Sequence, residues 1–182
     1  MAQYVSFAPN IQVNGQTILS IVNAVAAYKD TMQEFLAKHG LKDIALEGWY
    51  SQQTWLDTFR DIGEQFGPNT LFAIGKAIPE NAIFPPNIID LQGALAVIDV
   101  AYHMNHTEGE IGYYKLLEFN QGLRMAIMEC KNPYPSDFDR GIITTMARKF
   151  KPDDAIVVKV ELDANKPSRL NGAESCHYIV TW

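Results

Sequence analysis

Residues 132–143, Asn-Pro-Tyr-Pro-Ser-Asp-Phe-Asp-Arg-Gly-Ile-Ile, mark a change in the hydrophobic period of the chain, and any fold must accommodate that change. Pro133 and Pro135 fix the backbone and remove two donors, and Ser136 with Asp139 three residues on offers a capping-box entry to a helix. Within that helix Phe138, Ile142, Met146 and Phe150 recur at i+4 spacing. They form one apolar stripe, which packs most economically on strands to either side.

Such strands are expected on both sides. Residues 113–119 and 123–130 alternate around Asn120-Gln-Gly122, a three-residue loop whose glycine suits the left-handed position of a bulged hairpin. After the helix, Ile156, Val158, Val160 and Leu162 alternate with Val157, Lys159 and Glu161. A stretch with Asn165, Pro167, Asn171 and Gly172 then turns the chain into residues 176–182.

The N-terminal half follows a helical period. Ile18, Ile21, Val22, Val25, Tyr28, Met32, Phe35 and Leu36 predict one long helix over residues 17–39, ended by Gly40. Residues 1–15 read as an arm or an edge strand, and residues 44–50 as a linker. Ser51 opens a helix with Trp55, Phe59, Ile62 and Phe66 on one face, closed by Gly67-Pro68. A helix over residues 69–77 should end in a loop imposed by Pro79, Pro85 and Pro86, with Ile83 and Phe84 holding that loop on the core. A second long helix is expected over residues 88–106, with Ile88, Leu91, Leu95, Ile98 and Tyr102 as its stripe.

Helices followed by a ββαββ order specify an α+β fold, N-terminal helices on a C-terminal antiparallel sheet. At 182 residues and 47% hydrophobic content, one domain spanning 1–182 is expected. Fifteen Lys and Arg against 21 Asp and Glu give a net charge of −6, and the basic residues are scattered, which argues against nucleic acid as a partner. The most apolar window, residues 18–28, is too short to span a bilayer, which takes about 20 residues. With no export signal at Met-Ala-Gln-Tyr-Val, a cytoplasmic protein with two reduced thiols, Cys130 and Cys176, is the expectation.

The C-terminal half resembles the haem nitric oxide-binding domains and their relatives, the 4-vinyl reductase-type ligand-binding domains and trafficking-complex subunits of the same fold. Tyr134-Pro135, Gly141-Ile142-Ile143 and Ala147-Arg148-Lys149-Phe150 resemble the tyrosine-proline and helix of the haem family. Gly172-Ala-Glu-Ser-Cys176-His-Tyr-Ile-Val-Thr-Trp182 resembles the closing strand of the vinyl reductase-type domains. The resemblance implies a ligand held between helices and sheet, with haem as the cofactor of one branch. It also implies a Tyr-x-Ser-x-Arg propionate anchor on the strand before the Tyr-Pro, where an arginine forms paired bonds to a carboxylate. Ala126, Met128 and Cys130 stand at that place and cannot do so, which counts against haem. An axial histidine on the second long helix is available in His103.

Three sets of site residues follow. Trp55, Phe59, Phe84, Tyr102, Met125 and Met128 are candidate ligand-binding residues, and each serves equally as ordinary core. His103 and His106, at i and i+3 with Asp99 one turn earlier, are a candidate metal pair or a helix C-terminal cap. Cys130 and Cys176 form a candidate redox pair if their strands are neighbours, and otherwise are buried inert thiols, Cys176 on one face with Tyr178, Val180 and Trp182. No nucleophile elbow, phosphate loop or dinucleotide fingerprint is present, so the function expected is non-catalytic, sensor-like binding of a small apolar or tetrapyrrole-like molecule. Such a domain needs a signalling partner or a homodimer to report occupancy. The alternatives are an assembly subunit with a filled core, a haem gas sensor, or an enzyme acting on a pigment precursor.

Overall fold

The computed structural model describes residues 3–24, 29–107 and 109–182. In chain order the elements are β1 (Gln12–Asn14), α1 (Gly15–Ala24), α2 (Lys29–Lys38), β2 (Trp49–Ser51), α3 (Gln52–Phe66), α4 (Pro68–Asn81) and α5 (Leu91–Met104). The second half runs β3 (Tyr113–Asn120), β4 (Met125–Lys131), α6 (Ser136–Lys149), β5 (Lys159–Leu162) and β6 (Cys176–Thr181). The α+β expectation holds: helices come first, and β3 to β6 form one antiparallel sheet in the order β3-β4-β6-β5.

The α6 stripe behaves as its spacing requires, with Phe138, Ile142 and Met146 buried and Phe150 half-buried at the helix end. Opposite it, Cys176, Tyr178, Val180 and Trp182 of the last strand segment are all buried, one face of β6 turned to the core. Helix α6 also crosses α4 at close range through two glycines. A Cβ on Gly75 would lie 2.0 Å from the Phe138 carbonyl oxygen, and one on Gly141 would lie 2.4 Å from that of Phe72. Both contacts are with backbone, which cannot swing aside. Gly75→Ala is therefore expected to lower unfolding stability by about 3 kcal/mol, the upper range for overpacking. Urea denaturation checks this, and a loss below about 0.5 kcal/mol would show that the helices separate freely.

Several boundaries differ from the sequence pattern. The long first helix is present as α1 and α2, with residues 25–28 of that expectation outside the described residues. Within the stretch expected as an arm or an edge strand, Gln12–Asn14 form β1, which pairs with β2 at the end of the expected linker and Ser51, each three residues long. A tertiary partner rather than local pattern defines strands so short. Pro79 lies inside α4 instead of ending it, two residues before the helix finishes at Asn81. Helix α5 starts at Leu91, since the Asp90 side chain accepts from the Gly93 amide and caps it, and ends at Met104. In the β3–β4 turn the left-handed residue is Arg124 (φ 50°), not Gly122. Strand β5 begins only at Lys159, leaving Ile156 94% exposed.

Candidate functional site

The C-terminal end of α5 meets α1, α4, β3 and α6 around a small cavity. The cavity holds about 40 Å³, and its wall is almost wholly apolar, including Ile78, Phe84, Ile98, Tyr102, Phe138 and Ile142. Polar side chains on the wall are tied to each other. Asn105, the α5 C-cap, accepts at Oδ1 from Asn14 Nδ2 (2.8 Å) and Thr17 Oγ1 (3.0 Å) and donates through Nδ2 to the Ile83 and Ala101 carbonyls (2.9 and 2.7 Å). That one amide joins the start of α1 to the loop after α4 and to the end of α5.

His106 is the other polar element of the wall. Its Nδ1 lies 2.7 Å from the Tyr102 carbonyl, which only accepts, so Nδ1 carries the proton and Nε2 accepts from the Tyr134 hydroxyl at 2.7 Å. Burial holds the imidazole neutral and lowers its pKa to about 4. Tyr102 directs its own hydroxyl to the Ile111 carbonyl (2.6 Å). Burial raises the phenol pKa values of both Tyr102 and Tyr134. Gln52, fully buried nearby, accepts from Ser6 Oγ at 2.6 Å, while its Nε2 closes no hydrogen bond of good geometry.

Beneath the cavity a charged cluster anchors α6. Arg169, from the single-turn 3-10 helix at Arg169–Asn171, is buried and paired with Asp139, also buried. The guanidinium further donates to the Asn132 carbonyl and Oδ1 and to the Tyr134 carbonyl, while Asp139 accepts from Tyr114 (2.5 Å) and Asn132 (3.3 Å). Burial opposes charge on both partners, yet the attraction of Asp139 keeps the Arg169 pKa well above its ordinary range. Burial pushes the Asp139 carboxyl upward against the pull of Arg169 and the hydrogen bonds it accepts. The Ser136–Asp139 capping box is not formed, because Asp139 faces Arg169 and the N-cap position belongs to Pro135.

The sequence-predicted residues separate into those at the cavity and those away from it. Phe84 and Tyr102 line it, as does His106. Trp55 and Phe59 are buried beside it, stacked edge-to-face at 4.6 Å, with Phe59 carrying the cluster on to Tyr134 and Phe138. Met128 is buried in β4, paired in the sheet with Leu116 and Tyr178, and Met125 lies half-buried at the start of that strand. His103 points outward, its side chain half exposed and its Nδ1 2.9 Å from the Asp99 carbonyl, so it does not converge with His106. Among the described residues no group of three or more His, Cys, Asp or Glu is placed to hold a metal ion.

Cys130 and Cys176 are direct cross-strand partners, both free and buried, and Ser136 Oγ and Arg169 Nε reach the Cys176 sulfur at 3.2 and 3.4 Å. Burial raises the Cys130 thiol pKa well above its usual value. Sequence reasoning missed Asn105, Asp139 and Arg169 as site-forming residues. Only the Asn-Pro-Tyr-Pro-Ser-Asp-Phe-Asp run, which carries Asp139, held any signal for them.

No family model matches the chain, and no curated protein matches it in sequence. Among solved structures, an H-NOX protein from S. oneidensis superposes with a TM-score of 0.66 at 13% identity, over 92% of this chain and 95% of that one. The chain has the H-NOX fold. An H-NOX mutant from K. algicida superposes over the same shares of the two chains, with a TM-score of 0.63 and 13% identity. Other H-NOX structures that match are described in terms of haem redox potential and haem distortion.

The residues of this H-NOX fold do not fit a haem. The cavity of about 40 Å³ is far below the roughly 300–1,000 Å³ of ordinary ligand pockets. The His106 lone pair that could face iron is engaged by the Tyr134 hydroxyl, and His103 lies outside the cavity. Ala126, Met128 and Cys130 are buried in β4 and offer no guanidinium, and Arg169 is already committed to Asp139.

Proposed function

We propose that this chain is a non-catalytic, sensor-like domain of the H-NOX fold that binds a small apolar molecule without haem. The observation that carries this reading is the apolar cavity at the meeting point of α1, α4, α5, β3 and α6. An apolar cavity of this kind stays dry and gains dispersion contacts when an apolar guest enters. Because Asn105 ties three elements at its edge, a guest that shifts α5 acts on all three.

Xenon supplies the test. Under xenon pressure the methyl resonances of Ile78, Ile98 and Ile142 are expected to shift, and Ala101→Phe, which fills the space, should abolish the shifts. The purified protein should show no Soret band. Unperturbed Ile98 and Ile142 methyls, or a Soret band in the wild type, would overturn this reading.

A second reading, as an assembly subunit, is favoured by apolar exposure at one end of the sheet. Leu123 in the hairpin turn (71% exposed) and Ile156 and Val157 before β5 (94% and 58%) lie on segments joined by the Arg124–Asp154 ion pair.

A further inference from the structure

The cavity adjoins a second space. Phe84 lines both the inner cavity and an outer pocket of about 250 Å³ that opens to solvent, whose wall also includes Pro79, Pro85, Ile88, Met146 and Lys149. Phe84 is half-buried and packs against the core. It therefore stands as a partition between two voids.

The backbone on either side of that ring is held. Asn105 Oδ1 accepts from the Ile83 amide at 3.3 Å, and Asn105 Nδ2 donates to the Ile83 carbonyl at 2.9 Å. Pro85 and Pro86 fix the chain immediately beyond. With the loop pinned, passage between the spaces comes from rotation of the Phe84 side chain rather than from movement of the loop.

The two ends differ in charge. The inner wall is apolar, and its polar groups are engaged, Thr17 with Asn105 and His106 with Tyr134. A charged group placed there would lose its water without gaining a counter-ion. The outer wall carries one charged side chain among the described residues, and it is a cation, Lys149. Its exposed ammonium lies 5.8 Å from the Phe150 ring centroid, and among the described residues no carboxylate belongs to that wall. In a chain of net charge −6, a mouth whose only charge is positive selects for an anion.

We propose that the inner cavity and the outer pocket are two ends of one site gated by Phe84. Its ligand is a small carboxylate with an apolar body, the body entering past Phe84 and the carboxylate remaining at Lys149. This rests on the cavity-binding reading above and adds the ligand's chemical class.

The test compares propionate, whose two-carbon body suits a cavity of about 40 Å³, with its uncharged amide, propionamide, by titration of the intact chain followed through the Ile98 and Ile142 methyl resonances. The carboxylate is expected to bind roughly two- to fivefold more tightly, as an exposed ion pair allows. That preference should shrink in 0.5 M salt and vanish in Lys149→Gln. Phe84→Ala should strengthen binding of both compounds, and Phe84→Trp should weaken both. Equal affinity for acid and amide, or a preference that survives Lys149→Gln, overturns the carboxylate assignment while xenon binding still supports the cavity. If neither compound binds wild type or folded Phe84→Ala, the gated site is overturned. If the Ile98 and Ile142 methyls also ignore xenon, the cavity reading falls with it.

Discussion

Arg169→Met is expected to destabilise the domain by about 3–5 kcal/mol at pH 7.5, the usual cost of removing one partner from a buried ion pair. The loss is large because one guanidinium serves four oxygen acceptors, Asp139, the Asn132 carbonyl, the Asn132 side-chain oxygen and the Tyr134 carbonyl, besides the Cys176 sulfur. Asp139 keeps its hydrogen bonds from Tyr114 and Asn132 but loses its only charged partner among the described residues. Its carboxyl, already pushed upward by burial, will then take up a proton more readily in the folded state than in the unfolded one. A folded pKa above the unfolded value adds stability at low pH that disappears as pH rises through it. The defect in Arg169→Met should therefore narrow between pH 7.5 and pH 5.5. Arg169→Met combined with Asp139→Leu should recover more than half of the single-variant loss, since the uncompensated charge is gone. Urea unfolding of the three proteins decides the matter. A single-variant loss under 1 kcal/mol would mean that water reaches Asp139 and that the pair does not anchor α6.

That cluster also shows where sequence reading stops. The β3–β4 hairpin, the α6 stripe and the inward face of β6 were legible because each is a local periodic pattern. Arg169 sits in Lys-Pro-Ser-Arg-Leu-Asn-Gly, a stretch whose composition reads as turn, and nothing local says that its side chain goes inward to a carboxylate 30 residues away. Asp139 was legible as a helix-start acid, but the same position serves a buried pair, and only the tertiary partner distinguishes the two. The cavity was legible in part. Phe84 and Tyr102 stood out as aromatic residues at element ends, whereas Ile78, Ile98 and Ile142 look in sequence like every other core isoleucine. A void is a property of how residues fail to fill space, and periodicity carries no record of it. Trp55, Phe59 and Met128 are large and close by, and they fill the core.

The second large effect is on pH dependence, and it originates in His106. Its imidazole is faced by Tyr102 from the adjoining helix α5 and by Tyr134 across the cavity wall, β1 bridges to it through Val13, and the outward-pointing His103 acts on it only as a nearby charge. In the folded state its pKa is about 4, held there mainly by burial. An unfolded histidine titrates near 6.5. Above that value both states are neutral, and His106 gives stability no pH dependence. As pH falls through the window from 6.5 to 4, the unfolded chain binds a proton that the folded chain refuses, and stability is lost. The full loss is about 3 kcal/mol below pH 4, of which about 2 kcal/mol is reached at pH 5. His106→Gln retains a polar side chain but cannot titrate. It is expected to be less stable than wild type at pH 7.5, where the bonds to the Tyr102 carbonyl and Tyr134 hydroxyl are at their best, and to close about 2 kcal/mol of that gap at pH 5. Taking the difference between the two proteins at each pH cancels Asp139 and every other group they share. A gap that stays constant between pH 7.5 and pH 5 would mean that His106 is charged or solvated in the folded state. The apolar wall could not then remain dry, because an imidazolium against Tyr102 and Tyr134 draws water to itself. The same measurement thus tests the histidine and the character of the cavity it lines.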